Sequence, residues 1–202
     1  PEMCGNGLRC VAAALARRGE VVRAVQTGAG ELRCDVSPGD GAEWLVTVAA
    51  GAPSFEPAHA GVVGYHGETW LDSPVGRGLV VSVGNPHWIF LEHSGFAALD
   101  VHGRELEFDP RFAHRTNVEL LERDAPARWR LRVWERGVGL TQACGTGATA
   151  AAAALVRTGR EPVGKPIEML LPGGPLTITI DAAGAATVRG PAAFVYEGVL
   201  PD

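Results

Sequence analysis

Two cysteines define the chemistry open to this chain. Cys4 opens the motif CGNG and Cys144 opens CGTG, and an Ala-rich run that reads as a helix follows each. A thiol at a helix N-terminus lies beside backbone N–H groups that lack partners and beside the positive end of the dipole. Both favour the thiolate. Each cysteine is therefore expected to have a depressed pKa and to act as a base. Gly5, Gly7, Gly145 and Gly147 let the backbone approach a ligand closely and aim N–H groups at an anion such as a carboxylate. One thiolate that takes a proton from carbon, with a thiol opposite that returns one, inverts the centre by a two-base route. Such a route needs each base roughly 3–3.5 Å from the carbon, with the sulfurs about 6–7 Å apart. Closure over an empty site would bring the sulfurs within disulfide reach, so sensitivity to oxidants is expected. A single Cys beside a Gly is ordinarily a small buried hydrophobe. The repeated context lifts Cys4 and Cys144 above that reading. Cys10 and Cys34 have no repeated partners and are expected to be structural, Cys10 on a buried first helix.

The elements that would position these thiols are themselves duplicated. CGNGLRCVAAALARRG realigns on CGTGATAAAAALVRTG at a constant offset of 140, with nine of sixteen positions identical. After each copy the chain becomes apolar and then meets a Gly-bearing turn, TGAGEL at Thr27–Leu32 and PGGPL at Pro172–Leu176. Helix, strand, turn, strand thus occurs twice. Both helices are almost wholly Ala, Val and Leu, and a helix without a polar face is expected to be buried. GLVVSV, HWIFLE, RLRVWE and LTITID read as strands, being short, β-branched or aromatic, and bounded by turns. DVHGRELEFDP reads as a solvated segment leading to a turn. VAAGAPSFEP, with its Gly and two Pro, marks a change of lobe near residue 48. The expected class is α+β, with residues 1–48 in a first lobe and 49–190 in a second.

Composition excludes several classes. The 202 residues are 46% hydrophobic and 20% charged, as in an ordinary globular chain. Net charge is −5 and the Lys and Arg residues are scattered, which disfavours a nucleic-acid partner. No apolar run is long enough for a membrane helix. Four cysteines without a zinc-type CxxC pair indicate neither a disulfide scaffold nor a zinc site, and a cytoplasmic location is the default. His59, His66, His93, His102 and His114 show no metal-ligand spacing, and no metal is expected. Pro1 stands where a Met would begin, only three residues before the first motif, so the chain is expected to be truncated at its N-terminus.

MCGNGLRC and QACGTGATAA, with GNPH, RTNVE and WERG between them, resemble the motifs of diaminopimelate epimerases in family order. The resemblance extends over essentially the whole chain. Proline racemases and related epimerases share the two-cysteine logic but typically carry His where this chain has Asn6. The resemblance implies two pseudo-symmetric lobes, each a curved, mostly antiparallel sheet or barrel around a central helix, with the site between them. It implies interconversion of LL- and meso-diaminopimelate, in lysine and peptidoglycan precursor synthesis, without PLP or another cofactor, by a homodimer. Cys4 and Cys144 match the catalytic positions, and Gly5, Asn6, Gly145 and Thr146 match a carboxylate cradle. Asn85, Asn117, Glu135 and Arg136 match substrate-binding positions, while His87 and Glu135 match residues that tune the thiols. Such types suit a substrate with two amino-acid ends: Arg136 offers a fork for a carboxylate, Glu135 accepts from an ammonium, and an amide does both.

Taken singly these residues have plainer readings, Asn85 and His87 as turn residues around Pro86 and Glu135–Arg136 as a solvated strand end. Strands precede MCGNG in the family, and its C-terminal stretch returns to the first lobe. The resemblance therefore implies that residues 1–48 are an incomplete lobe lacking part of its sheet, that 191–202 are a strand returning to it, and that the fragment alone is inactive or poorly soluble. Two rivals stay open: a proline or hydroxyproline racemase of the same architecture, and a catalytically silent binding domain of that fold.

Overall fold

The computed structural model describes residues 4–28 and 30–198. Met3 of the first motif, Ala29 of the TGAGEL turn and the last four residues of the expected C-terminal strand lie outside the described residues. The chain runs α1 (Gly5–Arg17), β1 (Ala24–Thr27), β2 (Gly30–Pro38), β3 (Glu43–Gly51), β4 (Trp70–Ser73), β5 (Gly76–Ser82), β6 (Pro86–Phe90), α2 (Ala98–Glu107), β7 (Asn117–Ala125), β8 (Arg128–Glu135), β9 (Gly139–Thr141), α3 (Gly145–Arg157), β10 (Ile167–Leu171), β11 (Gly174–Ile180) and β12 (Ala186–Ala193). It is an α+β fold. The duplicated helix, strand, turn, strand is present as α1-β1-β2 and α3-β10-β11.

One path of strands, β1-β2-β3-β12-β11-β10-β8-β7-β6-β5-β4, runs through the molecule, with β9 on the edge of β8. Neighbours are antiparallel except β6 with β7 and β8 with β10. A parallel pair needs a long crossover. The two crossovers are the stretches that carry α2 and α3. β12 joins the parts, since Ala186–Arg189 pair with β11 while the whole strand to Ala193 pairs with β3.

The two Ala-rich helices meet different fates. From Gly147 to Leu155 every residue of α3 is buried, against strands β5, β6, β7, β10, β11 and β12. Ala side chains permit that close approach on all sides, and the apolar surface removed from water is a large part of the core's stability. α1 buries only Leu8, Arg9, Ala12 and Ala13, against β2, β3 and β12. The expectation of a fully buried first helix is corrected: Val11 is 47% exposed and Cys10 is exposed, because no described strand covers that face. A second correction concerns DVHGRELEFDP, most of which lies in α2. Leu99 and Leu106 are buried on one face of α2, and Gly103 lets the Trp134 ring lie where a Cβ would otherwise stand.

Candidate active site

Both cysteines are helix N-caps. Cys4 Sγ accepts from the Gly7 N–H at 3.4 Å, and Cys144 Sγ from the Gly147 N–H at 3.4 Å. The sulfur thus takes the place of the side-chain oxygen of an ordinary cap. The two helix starts abut, with the Cβ position of Gly145 4.0 Å from Gly5 Cα. Asn6 Nδ2 donates to the Ala143 carbonyl at 3.3 Å, linking the first motif to the residue before Cys144. Two positive dipole ends therefore converge on one spot, an arrangement that favours an anion. A cavity of ≈ 270 Å³ opens there, lined by Cys4, Gly5, Asn6, Asn85, Asn117, Glu135, Arg136, Ala143, Cys144, Gly145 and Thr146.

The pocket gathers the residues expected from the sequence except His87, Gly7 and Gly147, and the N–H groups of the two glycines go to the cysteine sulfurs rather than to the pocket. The His87 ring is fully buried, with Nδ1 2.6 Å from Glu119 Oε1 and Nε2 3.0 Å from Asn85 Oδ1. Asn85 Nδ2 donates to Thr146 Oγ1 at 3.5 Å, and that hydroxyl lies 3.5 Å from Cys144 Sγ. His87 thus reaches Cys144 through Asn85 and Thr146, while its other partner, Glu119, acts on the thiol through its charge. Asn117 is a clasp as well as a wall: Nδ2 donates to the Pro86 carbonyl at 2.8 Å and Oδ1 accepts from the Arg136 N–H at 2.9 Å. Glu135 Oε1 accepts from Thr141 Oγ1 at 2.5 Å, and Arg136 Nη1 donates to the His114 carbonyl at 2.8 Å.

The thiols differ in setting. Cys4 is exposed, whereas Cys144 is buried. Burial, then the charges of Glu119 and Glu135, push the Cys144 thiol from 9.0 up to about 12, against the lesser pull of Thr146 and the Gly147 N–H. The expected depression by the helix start is corrected for this residue: desolvation outweighs the cap. At neutral pH Cys144 is a proton donor in waiting.

Of the buried charged residues that escaped sequence reasoning, Glu119, Glu107 and Arg9 bear on the site. Glu119 sits on β7 two positions beyond Asn117, where His87 of β6 pairs with Asn117 in register. Its only sequence signal is an acid within the apolar strand NVELL. Glu107, at the end of α2, accepts from Trp134 Nε1, the Gly137 N–H and Arg115 at 2.9, 2.8 and 3.0 Å, and so fixes the turn that bears Arg136. Arg9, on α1, donates through Nη2 to Asn6 Oδ1 at 3.1 Å and through Nε to the Pro191 carbonyl at 3.5 Å. Among the described residues no group of His, Cys, Asp and Glu is placed to hold a metal ion.

A family model described as diaminopimelate epimerase matches residues 79–195. Curated relatives bear the same name. The protein of Desulforudis audaxviator is 42% identical, with 98% of this chain and 74% of that protein covered. That of Sphingopyxis alaskensis is 39% identical over 98% and 71%, and that of Geobacillus kaustophilus 38% over 97% and 71%. Among solved structures, a Bacillus anthracis phenazine biosynthesis protein of the PhzF family superposes with a TM-score of 0.65 at 18% identity, covering 99% of this chain and 77% of that one. A probable proline racemase from Agrobacterium radiobacter gives 0.62 at 21%, covering 98% and 68%. These two likenesses concern the fold.

Proposed function

Because the chain belongs to the diaminopimelate epimerase family, we propose that Cys4 and Cys144 are the opposed base and acid that invert one α-carbon of its substrate. The protein is an isomerase that epimerises diaminopimelate. One observation carries the assignment: both cysteines cap helices whose N-termini meet at a single pocket. The α-carboxylate of the reacting end lies in the cradle of Gly5, Asn6, Gly145 and Thr146. One sulfur, as thiolate, removes the α-proton, and the electron pair of the broken C–H bond delocalises into the carboxylate, where the N–H groups at the two helix starts stabilise the added charge. The other sulfur, as thiol, delivers its proton to the opposite face. The enzyme ends with thiol and thiolate exchanged, so LL and meso isomers are turned over by complementary protonation states.

The distal end meets Asn85, Asn117, Glu135 and Arg136, with the Arg136 fork toward carboxylate and Glu135 toward ammonium. Glu135 and His87 also tune the thiols, His87 from behind Asn85. The chemistry draws on no cofactor, and the product serves lysine and peptidoglycan precursor synthesis. We assign the enzyme to the cytoplasm as a homodimer. The cysteines of the described residues are free, as a reducing compartment requires, and no helix is long and apolar enough to cross a membrane. The proposed lobes are residues 1–48 and 49–190, with 191–202 returning to the first. Their support is that α1 and α3 each pack on a separate hydrophobic cluster.

The test is solvent-deuterium incorporation at Cα of LL-diaminopimelate under reducing conditions. Deuterium that enters the meso product early, but hardly the recovered LL isomer, supports two distinct bases. Rapid wash-in to recovered LL isomer means that one base serves both faces and removes the assignment.

A further inference from the structure

Arg9 carries a buried charge that pairs with no carboxylate among the described residues; the groups whose charge favours it are the thiols of Cys10 and Cys4. Its side chain is buried, at 7% exposure, and both of its hydrogen-bond acceptors are neutral, the Asn6 side chain and the Pro191 carbonyl. Among the described residues it has no ion pair. A guanidinium stays protonated across the physiological range, and a buried charge without a counter-ion is costly. Gly190 of β12 leaves room for Arg9 and for Leu176 alike: a Cβ there would stand 2.5 Å from Leu176 Cδ2 and 3.2 Å from Arg9 Nε. The duplicated helix has no counterpart. At the position equivalent to Arg9 under the 140-residue offset stands Thr149, which bonds the Gly145 carbonyl at 2.8 Å.

Arg9 also fixes the amide of Asn6. A guanidinium has donors only, so the Asn6 atom that faces it is the oxygen, and the amide N–H₂ group is turned toward Ala143 and the pocket. Asn6 lines the pocket, while Arg9 stands behind it.

We infer that Arg9 is a positioning residue for the reaction: it holds Asn6 with its N–H₂ group toward the reacting carboxylate and supplies the counter-charge behind that carboxylate. The inference rests on the proposed function, since it takes the anion in the cradle to be the substrate's carboxylate. The substrate's carboxylate then brings a negative charge to the pocket side of the Asn6 amide, with Arg9 on the other side.

The experiment is calorimetric titration with LL-diaminopimelate in a Cys144→Ala background, in which ligand binds without turnover. Arg9→Met, which removes the charge and the fork, is expected to raise Kd about tenfold or more, and Arg9→Lys, which keeps the charge, by less. Asn6→Ala is expected to weaken binding too, and the Arg9→Met, Asn6→Ala double variant to bind no worse than the poorer single variant within about threefold. A Kd for Arg9→Met within threefold of the parent overturns the inference. So do effects of the two substitutions that multiply independently, since a purely structural Arg9 would not couple to Asn6. Should Arg9→Met fail to fold by circular dichroism, the Arg9→Lys, Asn6→Ala cycle decides by the same criterion. Titration does not depend on turnover: a chain that exchanges no deuterium removes the proposed function, while loss of binding on changing Arg9 is read separately.

Discussion

His87 and Glu119 meet at 2.6 Å between ring Nδ1 and carboxyl Oε1, and neither side chain is exposed to solvent. With Asn85 turned so that its oxygen faces the ring, Nε2 is the donor in that bond. The two side chains thus satisfy each other where no solvent reaches either. Burial raises the Glu119 pKa and the neighbouring His87 lowers it, while the charge of Glu135 raises it further. Among the described residues Glu119 Oε2 has no hydrogen-bond partner.

Removing one member of this pair leaves the other buried alone. Glu119→Ala is expected to cost about 3–5 kcal/mol of stability. Glu119→Gln, which keeps the shape and offers an N–H₂ donor to Nδ1, should cost less, roughly 1–3 kcal/mol. Urea unfolding of both variants checks the order. Equal costs below about 1 kcal/mol would mean that the pair contributes no buried polar interaction.

Alkaline pH separates the two thiol settings. The Cys144 thiol titrates near 9.0 when unfolded and near 12 in the folded protein. Between those values the unfolded chain has released a proton that the folded protein retains, so stability falls as pH rises through that window. The slope is about 1.4 kcal/mol per pH unit for one such group. Below pH 9.0 the contribution is flat. Denaturation midpoints measured at steps from pH 7 to 11, wild type minus Cys144→Ala, should show the decline only above about pH 9. A flat difference would contradict the buried thiol.

Exposure makes a chemical counterpart. Cys4 and Cys10 are exposed, while Cys34 and Cys144 are buried. Brief iodoacetamide treatment of the native protein, followed by peptide mapping, should modify the first two well before the others. In a Cys10→Ala variant the loss of turnover should then track modification of Cys4 alone. Inactivation that outpaces Cys4 labelling would place the sensitive group elsewhere.

Much of this arrangement is legible in sequence, for reasons that also mark where legibility ends. The matching CGxG contexts locate both helix starts because capping and glycine requirements are local. β5, β6, β8 and β11 are legible because β-branched runs end at turns. α2 is hidden because most of its charged residues face water, Glu107 excepted, and its large apolar buried residues are only Leu99 and Leu106, seven apart. The half-exposure of α1 is hidden because an Ala-rich helix does not state which of its sides a strand will cover. Glu119 is hidden because its role exists only once β6 lies parallel to β7 and brings His87 across 32 residues. The upward shift of Cys144 has the same origin, since burial and two distant acids decide it, and neither is a property of CGTG.

The repeat is symmetric in sequence but not in tolerance. A Cβ on Gly147 would stand 2.7 Å from Glu119 Oε1 and 3.3 Å from Cys144 Sγ, whereas on Gly7 the nearest atom is Cys4 Sγ at 3.4 Å. Gly147→Ala is expected to displace Glu119 or the cap and to cost roughly 1–3 kcal/mol with a marked fall in kcat. Gly7→Ala should be nearly neutral in stability. Comparable losses from the two substitutions would show that the glycines serve the helix starts alone and not the approach of Glu119.

Glu107 makes the last prediction because it acts on Arg136 without touching the pocket. Its carboxyl accepts from the Gly137 N–H, one residue after Arg136, and from Trp134 Nε1, two residues before. Glu107→Ala strands both donors and unpairs Arg115, with an expected cost of about 2–4 kcal/mol. Glu107→Gln keeps an oxygen for one donor and should recover roughly half of that. The turn that carries Arg136 loosens while the cysteines stay in place, so KM for diaminopimelate should rise more than kcat falls in the Gln variant. Steady-state kinetics on protein shown to be folded reads the split. An equal fall in kcat with unchanged KM would mean that Arg136 is not held by this carboxyl for substrate binding.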